Sequence, residues 1–210
     1  MRLDAHAHII PEDCTQLTFQ DPEGRTHGVN ARLRPDGSWD LEVDGLPRSP
    51  NDTSVEKPFQ DWFVHSFDLE RRFHYLDQLG IDAQVVATPH FLYPHAAEPS
   101  LGLAMAQRIN NSLAKIASAH PQRLLVLATV PLQDPPAAIR ELERAIDTLG
   151  LKGVVIDCNI NGKNLDEAEF RDFFAKAEAL QAPIFVHPRY SPNQPGMSRY
   201  HLANMVGVAM

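Results

Sequence analysis

Apolar positions along the chain follow two alternating periods. Short continuous runs, AQVVAT (83–88), RLLVLATV (123–130), KGVVID (152–157) and PIFVH (183–187), are rich in β-branched residues, and a further short extended segment, Arg2 to Ala7, opens the chain. Runs of this kind predict strands covered on both faces, which is the condition of a parallel sheet. The stretches between them carry a helical period. Asp68 to Leu79 sets Leu69, Phe73, Leu76 and Leu79 on one face, with Gly80 placed to end the helix. Leu101 to Ala119 is a second helix, stopped by Pro121. Pro135 to Leu149 is a third, with Asp134 as N-cap and Gly150 after it. Asp166 to Leu180 is a fourth, where Asp166 and Glu169 have the spacing of a capping box.

Strand and helix alternating in this way predict an α/β fold with right-handed crossovers and a parallel sheet, open or closed. Residues 12–62 break the rhythm. They contain turn-forming clusters, among them a hairpin about Pro35-Asp36-Gly37, and read as an insertion in the first strand-to-helix connection. Residues 1–210 are otherwise read as one domain.

Composition narrows the function. The formal net charge is −8 and there is no Lys/Arg-rich run, which argues against nucleic acid as a partner. No window approaches the ~20 apolar residues of a membrane span. Two cysteines, Cys14 and Cys158, do not make a disulfide framework, so a cytoplasmic protein is expected. The usual glycine-rich nucleotide fingerprints follow none of the strands.

His6-Ala7-His8 ends the first strand. Residues i and i+2 of a strand face the same way, so both imidazoles converge on one point, suited to a divalent ion at about 2.0–2.2 Å. Asp4 has the same parity and is expected one step deeper, where it would orient a ligand. His187 ends the fifth strand, and the C-terminal ends of parallel strands meet at one mouth. A pair of histidines alone is weak evidence; the third makes a metal site the favoured reading.

These residues carry a resemblance. DAHAHIIP is similar to the D-x-H-x-H-x-x-P opening of the amidohydrolase superfamily, and LDQLGIDAQVVATP, NNSLAKIASAHPQRLLVLATVPLQDPPAAIRELERAI, LGLKGVVI and APIFVHP resemble its second to fifth strands and their flanks. The chain is most similar to the aminocarboxymuconate-semialdehyde decarboxylases, a group that includes γ-resorcylate and 5-carboxyvanillate decarboxylases. The resemblance implies a (β/α)8 TIM-type barrel of the metal-dependent hydrolase fold, with about five of its eight units in this chain. It implies one Zn2+ or Mn2+ held by His6, His8 and His187. It further implies a histidine ending strand six and an aspartate ending strand eight as proton handlers. Neither motif is in this sequence, so no catalytic residue is assigned within the chain.

The implied reaction is non-oxidative decarboxylation of a small aromatic or unsaturated carboxylic acid. A lactone or amide hydrolase is the alternative within the superfamily, and an inactive binding module the alternative outside enzymology. Arg189, two positions past His187, and Arg48, in the insertion, are candidate partners of a substrate carboxylate. His90, with His95, Phe91 and Tyr93, is expected on the pocket wall, and Asp157 near the mouth. His65, His74, His120 and His201 are expected at the surface or in packing. The exposed edges of strands one and five invite pairing with another chain, which a homodimer would provide.

Overall fold

The computed structural model describes residues 1–33, 39–43, 46–48 and 65–188. Strand β1 (Leu3–His8) is followed by four short strands, β2 (Thr18–Gln20), β3 (Thr26–Leu33), β4 (Trp39–Val43) and β5 (Leu46–Arg48). These four form an antiparallel sheet in sequence order. The β3/β4 pair runs from Val29 opposite Val43 to Leu33 opposite Trp39. The turn residues Pro35, Asp36 and Gly37 lie outside the described residues.

Helix α1 (Leu69–Leu79) leads to β6 (Ala83–Ala87), α2 (Pro99–Ala119), β7 (Leu124–Val126) and β8 (Ala128–Thr129). Helix α3 (Pro135–Glu143), strand β9 (Val154–Asp157), a small hairpin of β10 (Asn159–Ile160) and β11 (Lys163–Asn164), helix α4 (Arg171–Ala179) and β12 (Ile184–His187) complete the order. Two parallel sheets result, β1-β6-β7 and β12-β9-β8. They are one surface, joined at Leu127. The Leu127 N–H donates to Val86 O at 2.9 Å, and the next N–H, of Ala128, donates to Gly153 O at 2.8 Å. The third predicted strand therefore changes neighbours midway. Five parallel strands stand side by side in chain order with four helices between them among the described residues, as in part of a (β/α)8 barrel.

Side chains alternate across this surface. Val85, Ala87, Leu127, Val155 and Phe185 cluster on the inner face, whereas Val86, Val126, Ala128, Val154 and Ile156 pack outward under the helices. Ile109 and Leu113 of α2, and Leu142 of α3 with Phe173 of α4, are fully buried against that outer face. This is the burial that turns amphipathic segments into stable helices.

Helix ends follow local chemistry. Asp68 accepts from Arg71 N at 3.0 Å and Asp134 from Ala137 N at 3.1 Å, each satisfying an orphan donor of a first turn. Gly80 ends α1 with φ of 66°, a conformation that costs other residues a Cβ clash. Two expectations need correction. Leu79, grouped with Leu76 by its spacing, is 46% exposed. The third helix continues past Glu143 in π-type turns over Arg144–Thr148, within the expected Pro135–Leu149. The fourth starts at Arg171 without a side-chain cap, since Glu169 is drawn instead into an ion pair with Lys163 at 2.8 Å. No helix of the described residues is long and apolar enough to cross a membrane. Cys14 is buried, Cys158 is exposed, and no disulfide joins them.

Candidate metal centre

The first strand carries a bulge. Its register against β6 runs Leu3–Ala83 and Asp4–Gln84, then Ala7–Val86 and His8–Ala87, so β1 uses three steps where its neighbour uses two. One extra residue reverses the parity of everything beyond it. His8 thus shares the inner face with Ala87, and His6 follows it, their rings 4.7 Å apart. Asp4 is left on the outer face with Gln84, whose amide donates to it at 2.7 Å. The expectation that Asp4 lies beneath the paired histidines is therefore corrected: simple alternation missed the bulge.

On β12 no irregularity intervenes, and His187 pairs in register with Asp157. Its ring arrives opposite the β1 pair, with centroids 5.2 Å from both His6 and His8. One ligand atom from each of the three histidines lies within 4.8 Å of the others. The Nε2 atoms of His8 and His187 are 3.3 Å apart. Two bonds of ~2.1 Å at a tetrahedral angle would place their donors about 3.4 Å apart, so this spacing fits a shared ion. The His187 Nδ1–H donates to Pro188 O at 2.7 Å, which turns Nε2 into the lone-pair nitrogen.

Electrostatics agree with this chemistry. Burial, then the neighbouring imidazoles of His6, His187 and His90, pull the His8 imidazole down to about 3. Burial also lowers His6, against the pull of Asp4, and lowers His187 against its hydrogen bond to Pro188. Three imidazoles held neutral around one point form a donor set for a borderline divalent cation.

The wall around the triad is aromatic. Phe185 stacks on His6 with centroids 4.5 Å apart and planes 7° from parallel. His90 is exposed and stacks on His187 at 5.9 Å, and Tyr93 meets the same ring edge-on at 5.9 Å. Asp157 is buried on the inner face with His95 Nε2 at 3.5 Å. Burial, and then the charge of Asp157, push the Tyr93 phenol well above its ordinary range.

The turn between β2 and β3 reaches the same end of the sheet. A cavity of about 660 Å3 lies between this Asp21–His27 turn and the loops carrying Ala97, Gln133 and Asn161. Arg48 ends β5, opposite Leu41 on the last strand of that sheet, and Arg189 lies outside the described residues, as does His201. His65 stacks on Tyr75, His74 bonds Gln78 at 2.9 Å and His120 packs on Phe73. Phe185 was not singled out from sequence, although its position two before His187 already placed it on the same face.

Comparison with known proteins was made on this basis. The amidohydrolase family model matches residues 3–205. A 2-amino-3-carboxymuconate-6-semialdehyde decarboxylase of Dictyostelium discoideum is 28% identical over 99% of this chain and 54% of its own length. A gamma-resorcylate decarboxylase of Rhizobium radiobacter is 29% identical over 57% of this chain and 38% of its own. Among solved structures, 5-carboxyvanillate decarboxylase of Novosphingobium aromaticivorans, complexed with manganese and 4-hydroxy-3-methoxy-5-nitrobenzoic acid, superposes with a TM-score of 0.71. It is 25% identical, over 97% of this chain and 55% of that one. The chain thus spans about half the length of the first relative and of this structure, and less of the second relative.

Proposed function

This chain belongs to the amidohydrolase family, and from that membership we propose that it forms part of a metal-dependent, non-oxidative carboxy-lyase acting on a small aromatic or unsaturated carboxylic acid. The observation that carries the reading is the meeting of His6, His8 and His187, neutral and within 4.8 Å of one another, at the C-terminal ends of parallel strands. The names of the relatives, decarboxylases of aminocarboxymuconate semialdehyde, γ-resorcylate and carboxyvanillate, supply the substrate class.

His6, His8 and His187 would hold the ion, manganese as in the carboxyvanillate enzyme or zinc, for which imidazole nitrogen is the more favoured ligand. When bound, it supplies a Lewis acid that polarises a substrate oxygen. His90 and Tyr93 wall one side of that point and would contact a flat substrate ring. Arg48 and Arg189 are proposed to hold the carboxylate in fork geometry. In the reaction the bond to the carboxylate carbon breaks, its electron pair stays on the ring or chain carbon, and that carbon takes up a proton. No proton donor for that step is assigned to this chain. A cytoplasmic location and a homodimer complete the proposal.

Product analysis tests it. The chain is incubated with Mn2+ and a panel of hydroxybenzoates, and gas and acid products are measured. CO2 matching the loss of substrate carboxylate supports the lyase. A new carboxylic acid without CO2 identifies a hydrolase and contradicts it. Binding without turnover leaves this chain a binding module.

A further inference from the structure

Behind the triad, on the opposite face of the sheet, a polar chain runs from α1 to the backbone of β1, buried at Arg72 and Gln84, half-buried at Asp4 and exposed at its last link to His6. Arg72 lies on the helix face turned to the sheet and is 4% exposed. Its Nε donates to His65 O at 2.7 Å, one terminal nitrogen donates to Gln84 Oε1 at 2.8 Å, and the other donates to the carbonyl oxygen of His8. The Gln84 amide nitrogen in turn donates to Asp4 Oδ2 at 2.7 Å, and Asp4 Oδ1 accepts the His6 N–H at 3.2 Å.

The order of donors and acceptors admits one arrangement. Arginine only donates and a carboxylate only accepts, so the amide of Gln84 between them has its orientation dictated at both ends. The outer links fall on the main chain of two proposed ligands, at the N–H of His6 and the C=O of His8. They span the bulge that turns these rings inward.

We propose that Arg72, acting through Gln84 and Asp4, is a positioning residue for the metal centre, fixing the bulge of β1 so that His6 and His8 are presented together. This rests on the metal reading given above. Burial lowers the Arg72 guanidinium to about 10, with Asp4 opposing, which keeps it charged and donor-only at neutral pH. A merely structural tie between α1 and the sheet would need neither the amide relay nor the bond to the N–H of His6.

The test uses Mn2+ titration calorimetry and the visible spectrum of bound Co2+, which reports ligand geometry. Asp4→Asn, Arg72→Lys and His8→Ala are compared with the native chain, with melting of each metal-free protein as the control for folding. Asp4→Asn keeps volume and shape but sets a donor against a donor whichever way the amides turn. The expected result is Mn2+ binding weakened about 10- to 100-fold in Asp4→Asn and Arg72→Lys, with shifted Co2+ bands. Native affinity and an unchanged Co2+ spectrum in both folded variants would overturn the proposal. Should Arg72→Lys not fold, Asp4→Asn alone decides. If His8→Ala binds Mn2+ as tightly as the native chain, the metal reading itself falls and this inference with it.

Discussion

His8 and His187 stand 179 positions apart in sequence, yet their Nε2 atoms face each other at 3.3 Å. They belong to β1 and β12, first and last of the five parallel strands, so an ion between them would tie together two strands that share no ladder. Binding to the folded state alone stabilises it by mass action, about 2.7 kcal/mol at 100 times Kd. Saturating Mn2+ should therefore raise the melting temperature, and His187→Ala should abolish the increment while the metal-free melt changes little. Scanning calorimetry with and without the ion checks this.

The pH dependence of the metal-free protein has a defined sign. His8 falls from an ordinary 6.5 to about 3 in the folded chain, because it is buried and flanked by other imidazoles. Below pH 6.5 the unfolded chain takes up a proton that the folded chain refuses, so stability is complete above that pH and declines as pH falls toward 3. The slope from this residue is at most about 1.4 kcal/mol per pH unit. Denaturant titrations between pH 7 and 4 should show the loss, and His8→Gln should flatten it. Equal slopes in the two proteins would contradict the assignment.

Phe185 lies flat against His6. Phe185→Leu keeps most of the apolar volume and removes the ring face, so its stability cost should stay below about 1.5 kcal/mol. Metal affinity should fall several-fold because His6 loses the surface that sets its rotamer. Calorimetric titration of the variant is the check, and an unchanged Kd would leave the stacking without consequence for the site.

Asn110 is fully buried in α2. It accepts from Thr129 N and donates to Thr129 O, both at 2.9 Å, and also donates to Glu141 Oε1 at 2.7 Å. The side chain thus completes β8 at the mouth and binds α2 to α3. Asn110→Ala strands these groups without that partner and should cost about 2–4 kcal/mol, read from urea unfolding midpoints.

Four of the five strands were legible because each is a continuous apolar run, the first only as a short extended segment, and the first helix because Leu69, Phe73 and Leu76 recur at helical spacing. The triad was legible because His6, His8 and His187 all end such strands. What escaped was geometry without a compositional mark. The bulge between Asp4 and Ala7 is set by hydrogen bonds from elsewhere in the chain, so alternation alone put Asp4 on the wrong face. The network on the outer face did leave traces: Arg72 interrupts the apolar stripe of Leu69, Phe73 and Leu76, and Gln84 interrupts AQVVA. A charge on an apolar stripe marks a partner across the core. The change of neighbours at Leu127 left no such trace, since RLLVLATV reads as one strand.

Metal content measured by elemental analysis tests the central claim most directly. The native chain, purified after growth with Mn2+ and Zn2+, should carry close to one such ion per molecule, and a folded variant with alanine at positions 6, 8 and 187 should carry none. The same stoichiometry in both proteins would contradict it.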